Sequence, residues 1–127
     1  MPEPARTRVA FRVEEDAPAA GVVVLTVRGD ADLHVAPELR DRLGAAVDSG
    51  ARALVVDLSD TAFVDSMVLG VLLGASKRMR SRAGQVRIVA PRPELRRIFE
   101  ITLLDRVLPL DVSLESALAS AGRESAG

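Results

Sequence analysis

Few side chains in this chain have the means for chemistry, and their spacing limits what they do. Asp30 and Asp32 stand two apart in the segment Arg28 to Val35 (RGDADLHV), which also holds the only histidine, His34. Paired carboxylates serve acid–base work or hold Mg²⁺; more simply, such a loop satisfies its own backbone. His34 has no second His and no Cys at ligand spacing, so no metal site is expected. A pH-tuning role for His34 competes with the simpler reading of a solvated loop residue. Asp65 and Ser66 lie in Ser59 to Gly70 (SDTAFVDSMVLG), where the chain turns into an apolar helix. Ser66 reads as the helix N-cap, and Asp65 as a ligand of the helix start rather than a catalytic acid. Arg92, Arg96 and Arg97 form a small basic group, read as a solvated helix face.

What is absent narrows the chemistry further. There is no Walker loop, no Gly-x-Gly-x-x-Gly after a strand and no nucleophile–base pair. The expectation is a binding domain, not an enzyme, with no cofactor. The chain has no cysteine, hence no thiol catalyst or disulfide. Trp and Tyr are missing and Phe occurs only at Phe11, Phe63 and Phe99, so stacking on nucleic-acid bases is nearly unavailable. Seventeen basic and 18 acidic residues nearly cancel, which leaves no strong field to attract nucleic acid or an anionic membrane. The start, MPEPARTRVAF, lacks the apolar stretch of a signal peptide. The longest apolar run, Met67 to Ala75, is broken by Gly70 and Gly74 and followed by Lys77 and Arg78. It is too short to span a bilayer, and the cytoplasm is the expected location.

The elements that must position these residues follow from periodicity. Residues 1–8 read as a flexible arm, 9–119 as the domain and 120–127 as a flexible tail. Ala10 to Glu14 alternates weakly, as an edge strand does, and Asp16 to Gly21 reads as a loop. Val22 to Val27, Ala53 to Leu58 and Val86 to Ala90 are nearly continuous apolar runs, the mark of strands buried on both faces. Between them, Pro37 opens a helix whose Leu39, Leu43 and Val47 share a face, and Gly50 stops it. Ser66 to Arg82 is a second helix ended by Gly84, and Glu94 to Ile101 a short third. Val107 to Leu110 reads as an edge strand because Pro109 cannot donate a ladder hydrogen bond. Ser113 caps a last helix. The alternation predicts an α/β fold: a mixed sheet of four to five strands with about four helices.

The helix from Ser66 sorts into two faces at 3.6 residues per turn. Val68, Leu69, Leu72, Ala75, Ser76 and Met79 cluster as the core face. Met67, Val71, Gly74 and Arg78 fall opposite. Met67 and Val71 would then form an outward apolar patch, with Gly70 and Gly74 leaving the backbone open to close approach. In an open α/β sheet this turn sits beyond the carboxyl end of a strand, where working surfaces gather.

The stretch VVDLSDTAFVDSMVLGVLLG resembles the signature of the STAS domain family, whose bacterial members are anti-sigma factor antagonists. In that family a strand leads to Asp-Ser-Ser/Thr-Gly-Leu-Gly at a helix start, matched here by Asp65, Ser66, Leu69 and Gly70. Gly29, Asp30, Ala31 and Asp32 resemble the family's Gly-Glu-Leu-Asp. ELRRIFEIT from Glu94 to Thr102, then Leu104-Asp105, and the ending SLESAL from Ser113, are also family-like. The resemblance spans roughly residues 9 to 119.

It implies a STAS-like fold and a phosphorylation-switched binder. The second Ser or Thr of the motif is the usual phosphoacceptor, modified by an anti-sigma factor with serine kinase activity. The unmodified domain binds that partner and frees a sigma factor. Here Met67 occupies the phosphoacceptor position and Val68 the following Gly, so a kinase cannot charge this site. Asp32 matches a family residue close to that position on the folded surface. The expected partner-binding set is Asp32, Asp65, Ser66, Met67, Val68, Val71 and Gly74. Alternatives are a switch moved to Ser66, or to Thr61 or Ser59; a scaffold subunit without a switch; and a nucleotide-binding domain.

Overall fold

The computed structural model describes residues 12–31, 34–61 and 63–126, the last four of these by backbone alone. The order is β1 (Arg12–Ala19), β2 (Val22–Arg28), α1 (Ala36–Asp48), β3 (Ala53–Asp60), α2 (Ser66–Arg80), β4 (Gln85–Val89), α3 (Pro93–Ile101), a 3₁₀ turn (Leu104–Arg106), β5 (Leu110–Asp111) and α4 (Leu114–Ala126). One sheet runs β1-β2-β3-β4-β5. β1 pairs antiparallel with β2, and every later pair is parallel. This is the expected mixed α/β sheet.

The sheet grows in one direction only, and that decides where the helices go. Crossovers between parallel strands share one hand, so successive steps the same way place their helices on the same face. α1, α2 and α3 accordingly bury Leu39, Leu43, Leu72, Leu95 and Phe99 against Leu25, Val27, Leu54, Val56, Leu58 and Ile88. α4 alone covers the other face, where Ala117 and Ala121 meet Val22, Val24, Ala53, Val55 and Val89. The inner strands alternate between these two cores, which is why their sequences are mostly apolar, with Asp57 and Arg87 as the charged interruptions.

Several boundaries differ from expectation. β1 continues through Asp16 to Ala19, which the sequence suggests is loop, because pairing with β2 holds it; only Ala20 and Gly21 turn the hairpin. Its expected start at Ala10 lies outside the described residues. β5 is Leu110–Asp111, displaced from Val107–Leu110: the 3₁₀ turn and its amide bonds to Leu104 carry the chain past Leu108. Pro109 still sits at the edge, its carbonyl accepting from the Ile88 amide. α2 stops at Arg80, and Ala83 rather than Gly84 takes the left-handed turn. Gly84 answers a different need, since a Cβ there would lie 2.8 Å from Met79 Cε. The tail expected from residue 120 instead continues α4 to Ala126, anchored by the fully buried Ala121. The Ser113 cap stands, with its Oγ accepting from the Ser116 amide at 3.1 Å.

One buried ion pair ties the short β5 and α4 to the sheet. Arg87 Nε donates to Asp111 Oδ2 at 2.8 Å, with both side chains largely buried, and Ser116 Oγ donates to Asp111 Oδ1. Removing one partner of such a pair strands the other charge. Asp111→Ala is expected to lower the unfolding free energy by about 3 kcal/mol in urea titration. Replacing both Arg87 and Asp111 by apolar residues should recover most of that loss.

Candidate functional site

The two loops singled out in the sequence meet beyond the carboxyl ends of β2 and β3. Gly29, at φ 91°, turns the chain out of β2, and its amide donates to the Asp60 carbonyl. Ala31 then forms an isolated parallel bridge with Val64. The Ala31 amide donates to Phe63 O at 3.2 Å, and the Asp65 amide to Ala31 O at 3.3 Å. Thr61, fully buried, closes the joint from beneath by donating its hydroxyl to Val27 O at 2.9 Å. The short ladder fixes Asp65 relative to the sheet.

Asp65 starts α2. Its backbone is extended, at φ −97° and ψ 178°, and its Oδ1 accepts from the Val68 amide at 3.1 Å. Asp65 is therefore the N-cap. The alternative of Ser66 as cap is corrected: Ser66 is already helical, the first residue of α2, and exposed. With the phase set this way, Val68 turns fully inward and Met67 outward at 51% exposure. Phe63, just before the cap, is 50% exposed. Two large apolar side chains thus flank the capped turn in solvent. Phe63 was not singled out as a site residue; between Ala62 and Val64 its sequence gives no sign that the ring stands in solvent.

Two members of the expected binding set are buried. Val68 is 0% exposed and serves the core, with its amide taken by Asp65. Val71 is only 9% exposed, against the expected outward position. A wheel drawn for one neighbour misses that α2 packs on α1 as well as on the sheet, which widens its buried arc. Ser76, placed on the core face, is indeed buried and donates to Val107 O at 3.2 Å. Gly70 and Gly74 are exposed, and a Cβ at either would meet nothing within 4 Å.

The remaining polar candidates divide clearly. Asp32 lies outside the described residues; Asp30 is half-buried beside it in sequence, and His34 is exposed. Ser59 donates its hydroxyl to Asp57 at 2.6 Å. On the sheet face left uncovered by α4, Arg28 bridges Glu14 on β1 and Asp60 at the end of β3. The hydrogen bond and charge of Glu14, opposed in part by desolvation and helped more weakly by the charges of Asp60 and Asp57, hold the Arg28 guanidinium above its ordinary pKa. It stays cationic and clamps the strand ends behind the loops. Arg92, just before α3, and Arg97 on it are exposed, and Arg96 is half-buried. Among the described residues no three His, Cys, Asp or Glu side chains gather as metal ligands. No described helix is long and apolar enough to cross a membrane.

This architecture is that of an open α/β domain whose working edge lies beyond its strand ends. More specifically, the model of the STAS domain family matches residues 15–117, and the chain belongs to that family. Its relatives include the Anti-sigma-F factor antagonist RsfB of Mycobacterium tuberculosis, 33% identical over 98 residues that make up 77% of this chain and 80% of that protein. The Anti-sigma-B factor antagonist of Bacillus subtilis is 28% identical over 96 residues, 76% of this chain and 87% of that one. A crystal structure of an anti-sigma factor antagonist from Mycobacterium paratuberculosis aligns with TM-score 0.78 and 32% identity, covering 92% of this chain and 97% of that one.

The cap geometry makes a direct prediction. Asp65→Ala should cost about 1 kcal/mol in urea unfolding, and Asp65→Asn only a few tenths, because Asn still accepts from the Val68 amide.

Proposed function

We propose that this chain is an anti-sigma factor antagonist that docks through the start of α2 and is not switched off by phosphate at that position. Its partner is an anti-sigma factor with serine kinase activity, and binding frees a sigma factor. The observation that carries this reading is Met67: half exposed, apolar, at the family's phosphoacceptor position. Phosphate on a serine there would add close to two negative charges. A docked apolar contact would lose affinity through that charge. Methionine keeps the contact and refuses the charge, and its flexible thioether suits a binding surface.

Burial revises the contact set. Val68 and Val71 support the surface from below, while Asp65, Ser66, Met67 and the open backbone at Gly74 face outward; Asp32 joins them by family resemblance. Phe63 is added on its exposure.

A second reading keeps a switch at Ser66, favoured by its exposure in the first turn. Thr61 is a poor acceptor because it is buried with its hydroxyl committed to Val27 O.

The test titrates the chain with purified anti-sigma factors in the presence of ATP and Mg²⁺. The complex should persist with no mass added to this chain. Met67→Asp should weaken it by about 1.4 kcal/mol or more, tenfold in Kd, whereas Met67→Ser should bind normally without ATP and, once ATP and Mg²⁺ are added, acquire phosphate and dissociate. Stoichiometric phosphorylation of the unaltered chain at Ser66, with release, would establish the second reading instead. Binding unaffected by Met67→Asp would overturn the docking site.

A further inference from the structure

α1 and α2 do not close against each other along their outer side. Between them lies an open groove of about 620 Å³ that begins at Met67 and ends at Arg78, about three helical turns away. Leu43, Val71 and Ala75 form an apolar floor. The walls are lowered by glycines. A Cβ at Gly70 or Gly74 would enter empty space, and one at Gly44 would only touch the Arg78 guanidinium, at 3.5 Å.

The rim is cationic on both sides. Arg40 stands on α1, Lys77 and Arg78 on α2, and none of the lining residues is acidic. Arg78 is neutralised at the lower end by Asp48, at 2.6 Å. Arg40 and Lys77 have no ion-pair partner among the described residues. Because the whole chain carries a net charge of only −1, this is a local feature and not a general basicity.

We infer that this groove receives an acidic amphipathic helix of the protein partner, its apolar ridge laid over the glycines and its carboxylates meeting Arg40 and Lys77. Gly70 and Gly74 lie four apart on one helix row, so they open a furrow parallel to the row that a packed helix presents as a ridge. Apolar floor and paired cations select an apolar ridge edged with Asp or Glu. The groove is continuous with Met67, so one helix reaches both. The inference rests on the anti-sigma factor reading and extends its interface down the α1–α2 seam.

The experiment uses the full chain and the anti-sigma factor that binds it in the titration above. Gly74→Leu fills the groove, and replacing Gly raises helix propensity, so the melting temperature should not fall. Kd should rise tenfold or more, about 1.4 kcal/mol. Arg40→Glu with Lys77→Glu should weaken binding comparably and flatten its salt dependence, while Arg40→Lys with Lys77→Arg should not. If these variants bind within about twofold of the unaltered chain while Met67→Asp loses binding, the groove inference is wrong and the docking site at the start of α2 stands. If no anti-sigma factor binds, both fall. A dimer of the chain alone that Gly74→Leu dissociates, or a fatty-acid carboxylate retained in native mass spectrometry, would give the groove another occupant and overturn the inference.

Discussion

The hydrogen bond from the Val68 amide to the Asp65 carboxylate fixes everything at the working edge of this molecule. It decides where α2 begins and therefore the rotation of every side chain after it. A start one residue earlier would turn Met67 by about 100°, into the buried place that Val68 now holds. The bond is in turn held in place from outside the helix. Asp65 donates its own amide to Ala31, and the Ala31–Val64 bridge extends the β2–β3 pairing beyond both strands. A solvent-exposed methionine at a helix start is thus a built feature, set by a chain of backbone contacts running back into the sheet.

The one-sided placement of α1, α2 and α3 has two consequences. It leaves α4 to cover the opposite face alone, so the β1 side of that face is charged, with Arg28 joining Glu14 and Asp60 across three strands. It also sets α1 beside α2, which buries Val71 and opens the glycine-walled groove. The proposed docking face and the charged clamp are therefore on opposite sides of the same strand ends. Exposed apolar residues elsewhere, Ile101 at the end of α3, Leu103 just after it and Val112 before α4, lie away from the capped turn in sequence.

Much of this was legible in the residues. β2, β3 and β4 announced themselves as nearly continuous apolar runs, interrupted within by little more than Asp57 and Arg87, because both their faces are largely covered. The strand–turn–helix at Asp65 was readable from its acidic cap and the apolar period that follows. What the sequence concealed depends on neighbours. β1 extends past Glu14 through exposed Glu15 and Asp16 to Ala19 because β2 supplies partners, with the register shifting between Asp16 and Ala19. Val71 faces outward on a wheel and inward in the fold, since periodicity records one dominant neighbour and α2 has two. Ser66 and Asp65 are both good caps by type; only the backbone turn distinguishes them. The burial of Ala121 under α4 has no signature in a segment that reads as small and polar.

The account turns on Met67 being a contact. The most direct measurement is a structure of this chain bound to its anti-sigma factor. Partner atoms are expected within about 4 Å of the Met67 thioether, in van der Waals contact. A partner seated on Ile101 and Leu103, with Met67 left in water, would contradict it.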